Sequence, residues 1–505
     1  MPAALAAPPA LAELTASAHT LSDIVAAIAL LGWDQEVMMP PRGGGGRAHH
    51  LATLTGIYHE KLTAPRLGEL LTALEDDADT LTATQQALVR ELARERDRAV
   101  KVPQALVRDL AEAQARGVET WRRARQANDF AAFAPDLAHL VALQRQVAEH
   151  VGYADSPYDA LLDEYEPGMT ARRVAALFGP LRDETLAVLR RIQASPAVDA
   201  TILDGKWDEA GQWDFGLRIL RDMGYEFDAG RQDRSTHPFT QSVGPPFDVR
   251  VTTRVEPSLL TSALFSSIHE GGHALYELGF DPALARTPLA NAPSLGMHES
   301  QSRLWENFVG RSRAFWDHYF PVLAAAFPRQ LHADDTDRFY RAVNRVEPSL
   351  IRIEADEVTY NLHIILRFEL ERALVEGDLA VADLPAAWNE KMRAYLGMTP
   401  PTDALGVLQD IHWGSGGIGY FPTYTLGNLV GAQLYYSLHD RYPDFDGRVA
   451  SGDLRFILGW LRDKVHVHGR TYPTAALVER ATGQPLDPTF FSRYLNEKFG
   501  ALYGF

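Results

Sequence analysis

The 505-residue chain is 46% hydrophobic, has a net charge of −17 and contains no cysteine. Such a chain can bury a large core and is long enough for roughly two to four domains, while its acidic balance argues against nucleic acid or an anionic membrane surface as the main partner. Without cysteine there is neither a disulfide framework nor a thiolate zinc site, so any metal must be held by His, Asp or Glu; the same lack agrees with a reducing, cytoplasmic setting.

The first twenty residues, M-P-A-A-L-A-A-P-P-A-L-A-E-L-T-A-S-A-H-T, have no basic segment and are broken by prolines and Glu13, a poor secretory leader. The apolar run at 24–31 is too short to span a membrane. Gly43–Gly46 follows Pro40-Pro41, but no strand precedes it and no Lys-Ser/Thr follows, so it reads as a mobile surface loop, a possible hinge beside a site, and not as a phosphate cradle. Over 81–120, Leu88, Leu92, Val100, Leu106 and Leu110 recur among charged residues at the spacing of an amphipathic helix. The segments 136–151, 170–195, 303–327, 353–376 and 453–466 share that pattern. F-D-V-R-V-T-T-R at 247–254 is the best strand signal, with alternating and β-branched character. R-V-E-P-S-L occurs at 254–259 and again at 345–350 without matching flanks, which predicts two helix starts and no domain duplication.

S-S-I-H-E-G-G-H-A-L-Y-E follows at 266–277. On a helix His269 and His273 lie four residues apart on one face and can share a cation, while Glu270 is displaced to reach the water that is to be activated. Gly271 and Gly272 each weaken a helix by about 1 kcal/mol relative to Ala, which points to a crowded site where a backbone or a substrate comes close. A catalytic metal needs a third protein ligand and an open position. Glu299, in G-M-H-E-S-Q-S-R at 296–303, heads the next helical pattern and is preferred over its neighbour His298, because adjacent helical residues cannot both face the metal.

H-E-G-G-H and H-E-S-Q stand in order with H-P-F (237–239), D-V-R-V-T (248–252), I-R-I-E-A-D-E (351–357), G-V-L-Q-D-I-H-W (406–413), W-D-Q-E-V-M-M-P-P (33–41) and G-I-G-Y-F-P-T-Y-T-L-G-N (417–428). Together they resemble the carboxypeptidase Taq family of metallocarboxypeptidases. The resemblance implies one mainly α-helical, saddle-shaped domain over 1–505, with a helical part at about 1–200, a metal-site part at about 230–430, a deep central groove and one small β-sheet beside the metal. It implies a single Zn2+ or Co2+ per chain on His269, His273 and Glu299, a homodimer, and broad release of single residues from peptides with a free C-terminal carboxylate. In that frame Glu270 is the general base, and His412 and Tyr420 support the tetrahedral oxyanion. Arg250 and Arg352 bind the terminal carboxylate as planar bidentate partners, with His237 and Tyr424 shaping the pocket. Asp356, ahead of Glu354 and Glu357, is the expected partner of a metal-bound imidazole. Trp33 and Asp34 are assigned packing roles, and His363 the core. The competing readings are an endo-oligopeptidase on the same scaffold and a non-catalytic helical protein with a structural metal.

Overall fold

The computed structural model describes residues 9–505; the start of the Ala-rich segment, residues 1–8, lies outside them. The described residues are 69% helical. Helix α1 (Pro9–Val37) packs with α2 (Gly44–Thr63), α3 (Pro65–Asp76) and α4 (Ala83–Lys101) through Leu14, Leu62, Leu70, Leu74 and Leu88. By length and composition α1 could cross a membrane, with mean hydropathy 1.5 over its most apolar window, so the apolar stretch is longer than the run at 24–31 suggested. Its Leu11, Leu14, Ala18, Leu21 and Trp33 are buried against the body.

Gly43–Gly46 is not a loop. Pro41–Gly43 makes a 3-10 turn and Gly44 opens α2, whose first-turn amides need no helical partner. Arg47 anchors this turn to Asp34 at 2.5 Å and to the Leu31 carbonyl of α1.

Helices α5 (Gln104–Ala127), α6 (Phe130–Val151), α7 (Pro157–Leu162) and α8 (Ala171–Gln193) follow, with Asp129, Ser156 and Thr170 side chains capping the last three. Beyond α9 (Glu209–Met223) come the three strands: β1 (Gln232–Arg234), β2 (Thr240–Gly244) and β3 (Asp248–Thr253). β3 is central, parallel to β1 and antiparallel to β2, which leaves β2 on an edge. Val249 and Val251 point into the core against α10 (Leu260–Glu277), so Asp248, Arg250 and Thr252 point the other way.

α10 meets α11 (Leu295–Arg303), which is capped by Ser294 and runs on into a π-helical stretch, Leu304–Val309. The helix expected over 303–327 is interrupted there: α12 (Arg313–Ala326) restarts with Ser312 as its cap. After α13 (Thr336–Val343), the second R-V-E-P-S-L segment forms no helix. Its backbone is held by Gln409, whose Oε1 accepts from the Arg352 amide at 2.9 Å and whose Nε2 donates to the Leu350 carbonyl at 3.0 Å. Helix α14 (Tyr360–Glu376) therefore begins seven residues later than the pattern at 353–376 suggested. At the first copy, Pro257 also stands outside the helix that begins at Leu260. α15 (Leu384–Leu396) precedes α16 (Pro422–Arg441), a helix without a charged residue until its last two positions and buried almost all round. Gly427 and Gly431 let α16 lie directly on α11: a Cβ at 427 would stand 2.7 Å from the Glu299 Cβ. The remaining short helices, between Phe445 and Tyr503, close the two large apolar clusters that flank α16.

Candidate metal and peptide site

α10 presents His269 and His273 as the sequence spacing requires, with their rings 4.9 Å apart. His269 Nδ1 lies 2.8 Å from Glu306 Oε2, and His273 Nδ1 lies 3.1 Å from the His298 carbonyl. A carbonyl only accepts, so His273 Nδ1 carries the proton and its Nε2 is a bare acceptor. That Nε2 nonetheless faces a carboxylate oxygen, Glu299 Oε2, at 3.4 Å, and His269 Nε2 faces the same oxygen at 3.7 Å. Acceptors converge in this way on a cation, and two imidazoles with one carboxylate are a fitting donor set for a borderline divalent ion. The three ligand atoms all lie within 4.8 Å of one another.

His298, the rival to Glu299, is stacked on His273 at 4.2 Å and turned to Glu277 Oε1 at 2.7 Å. Burial pushes the Glu299 carboxyl up, but Arg303, with its Nε 2.6 Å from Oε1, and then the imidazoles outweigh it and hold the group well below the usual range. Burial and then His298 hold His273 down to about 3, so it is neutral and free to coordinate. Glu306 is also held low, to about 2, where Arg303, His269 and Arg311 outweigh burial.

Glu270 is buried beside this cluster and accepts a hydrogen bond from Thr240 Oγ1 at 2.8 Å. Burial raises its pKa, against the lowering effect of His269 and the Thr240 hydroxyl.

A second wall comes from the loop 406–421, α14 and α16. His412 Nε2 lies 3.4 Å from the Tyr424 hydroxyl, and the Tyr420 ring packs on Tyr165, His412 and Tyr424 at 5.1 to 5.4 Å. Burial and then the Glu299 charge raise the Tyr420 phenol, so it remains a donor beside the cluster. Burial lowers His412 to about 4, Asp410 opposing and Arg352 and Arg367 adding to the fall. The loop is tied at its middle and near its end to buried Glu371, which accepts from Trp413 Nε1 at 2.8 Å and the Gly419 amide at 3.1 Å, and also from Tyr158 of α7 at 2.8 Å.

Arg352 is buried in this wall. Its Nε and Nη2 both donate to Asp410 Oδ1 at 3.0 and 2.9 Å, and its Nη1 donates to the Tyr360 hydroxyl at 3.1 Å. The other oxygen, Asp410 Oδ2, accepts from Arg367 Nε and Nη2, at 2.8 and 2.6 Å. One carboxylate between two guanidinium groups and a neutral imidazole leaves a surplus positive charge, suited to an anion.

Three expected residues are placed elsewhere. Arg250 is clamped to Asp248 at 2.9 and 2.8 Å and lies over the Trp33 ring at 4.4 Å, on the sheet face turned away from Glu270. His237 is exposed and makes no side-chain hydrogen bond among the described residues; the H-P-F segment instead leads into Thr240, with Phe239 bonded to Thr252. Asp356 does not support an imidazole. It accepts from the amides of Glu347, Val358 and Thr359 and from the Thr359 hydroxyl, and so builds the lead-in to α14, while Glu354 is exposed and Glu357 pairs with Lys498 and Tyr494. Glu306 holds the place given to Asp356. Its sequence signal was available: Glu299, Arg303 and Glu306 repeat at steps of four and three, one helical stripe. His363 is buried as expected.

Residues 13–499 match the Carboxypeptidase Taq (M32) metallopeptidase family. The chain is 42% identical over 488 residues to thermostable carboxypeptidase 1 of Thermus thermophilus, covering 94% of this chain and 95% of that protein. It is 37% identical over 478 residues to carboxypeptidase 1 of Bacillus subtilis, with the same coverage. The crystal structure of an M32 carboxypeptidase from Deinococcus radiodurans superposes with a TM-score of 0.96 at 41% identity, covering 99% of this chain and 100% of that one.

Proposed function

This chain belongs to the carboxypeptidase Taq (M32) family of metallopeptidases and is a metal-dependent carboxypeptidase of peptides; from that premise we propose that His269, His273 and Glu299 hold one zinc or cobalt ion, that Glu270 is the general base, and that Arg352 receives the terminal carboxylate. The observation that carries the reading is the meeting of two imidazole Nε2 atoms on Glu299 Oε2 with Glu270 alongside. A divalent ion held there supplies a Lewis acid that polarises the scissile carbonyl and acidifies the attacking water.

Glu270 takes the water proton and delivers it to the leaving amine. Its burial raises its basicity toward that role. The protonated phenols of Tyr420 and Tyr424 and the neutral His412 are the donors available to the tetrahedral oxyanion. Arg352 spends three of its five N–H groups on Asp410 and Tyr360. The two that remain, one on each Nη, form the edge left for a peptide carboxylate, and the surplus charge of the Arg352–Asp410–Arg367 group favours that anion. Such an end stop supports release of single residues with tolerance of many side chains, and disfavours an endo-oligopeptidase. The homodimer and the cytoplasmic location rest on the family resemblance and the composition.

The test compares one peptide as free acid and as C-terminal amide, in the wild-type protein and in Arg352→Met. The wild-type protein should strongly prefer the acid, and Arg352→Met should erase most of the preference by raising KM for the acid alone. Equal cleavage of acid and amide by the wild-type protein would refute the end-stop reading.

A further inference from the structure

We propose that Thr240 is a positioning residue for the general base, its hydroxyl holding one carboxylate oxygen of Glu270 and so fixing the rotamer of that side chain. The inference rests on the reading of Glu270 as base. In the sheet register Thr240 stands opposite Val251 and Gln241 opposite Arg250. Val251 points into the core under α10, so Thr240 does too, while Gln241 and Arg250 turn away. The edge strand β2 thereby lays one hydroxyl against the base. Thr240 Oγ1 is 2.8 Å from Glu270 Oε2 and 3.0 Å from the Glu270 main-chain carbonyl. No other side chain hydrogen-bonds this carboxylate among the described residues.

A hydroxyl has one proton and two acceptor lone pairs, so it serves one of these oxygens at a time. While Glu270 is a carboxylate, the Thr240 proton belongs on Oε2, a charge-assisted bond that fixes the rotamer and leaves Oε1 for the water. Without that hydroxyl, Oε2 would be a buried carboxylate oxygen with no side-chain donor among the described residues, a cost that low-dielectric sites magnify.

Thr240→Val keeps the shape of the side chain and removes the hydroxyl; Thr240→Ser keeps the hydroxyl. In the metal-loaded protein, kcat of Thr240→Val should fall roughly ten- to a hundredfold, as for loss of a hydrogen bond to a charged group. KM should change little, Thr240→Ser should recover most of the rate, and bound metal and melting temperature should match wild type. In a Glu270→Gln background, Thr240→Val should add almost no further loss, since residues acting as one unit are non-additive. An unchanged kcat in Thr240→Val, a loss that appears only in KM, or the same fold-loss in both backgrounds would overturn the proposal. Full activity in Glu270→Gln alone would remove the base itself, an outcome distinct from a silent Thr240→Val in a protein that Glu270→Gln inactivates.

Discussion

Gly272→Ala should damage the metal site far more than the fold. A Cβ at 272 would stand 2.8 Å from both the Gln301 carbonyl oxygen and the Ser302 Cα, which are backbone atoms of α11. Ordinary contact begins near 3.4 Å, so α10 and α11 must part by about 0.6 Å. Glu299 rides on α11 two residues before Gln301, and its two imidazole partners ride on α10, so the displacement opens the ligand set directly. Metal sites tolerate only about 0.2 Å in ligand distance, and a binding loss of at least tenfold follows. The fold responds less: overpacking costs about 1–3 kcal/mol, offset by the roughly 1 kcal/mol that Ala gains over Gly in a helix. Gly271→Ala is the control, because its Cβ would meet only the tip of Leu220 at 2.5 Å and the end of Met223 at 3.4 Å, flexible side chains that can turn aside. Chelator competition measures the metal affinity, and thermal melting of the metal-free proteins measures the fold. Wild-type metal affinity in Gly272→Ala, or a larger affinity loss in Gly271→Ala, would refute the reasoning.

Glu306→Gln should lower metal affinity about ten- to a hundredfold, since Glu306 sets the His269 tautomer and raises its basicity; unchanged affinity by the same competition assay would show that the Glu306 contact does neither. Burial raises the folded pKa of Glu371 to about 7, so its contribution is fully present below the unfolded value near 4.5 and is lost as pH rises through 7. Unfolding free energies should accordingly show the wild-type protein losing about 2–3 kcal/mol relative to Glu371→Gln between pH 5 and pH 8, a difference that vanishes if Glu371 is ionised in the fold throughout.

What could be read from the sequence was what local periodicity decides. His269, Glu270 and His273 share a helix, and Glu299 opens the next one, so a spacing of four and a run of apolar residues were enough to find them. Arg250 and Arg352 show where that stops. Both sit in short motifs with an acidic neighbour, and both looked equally suited to a carboxylate. Their difference is tertiary. Arg250 is turned away from Glu270 by the register of β3, which sets it with Asp248 toward Trp33. Arg352 stays because Gln409 and Asp410, nearly sixty residues on, hold its backbone and one edge of its guanidinium. Asp410 is shared with Arg367, which turns a neutral pair into a group with one charge to spare.

The paired glycines follow the same logic. Seen as sequence, they left open whether a substrate or a backbone needed the space. Gly271 faces apolar side chains of α9, whereas Gly272 faces the main chain of α11, and Gly427 of α16 closes on Glu299 from the other side. The helix that carries the ligand carboxylate is thus held between two helices, each of which lacks a Cβ where it meets α11. A metal site without cysteine depends on the placement of one Glu side chain with several freely rotating bonds. Glycine on both flanking helices limits that freedom by letting backbone stand where a flexible side chain otherwise would.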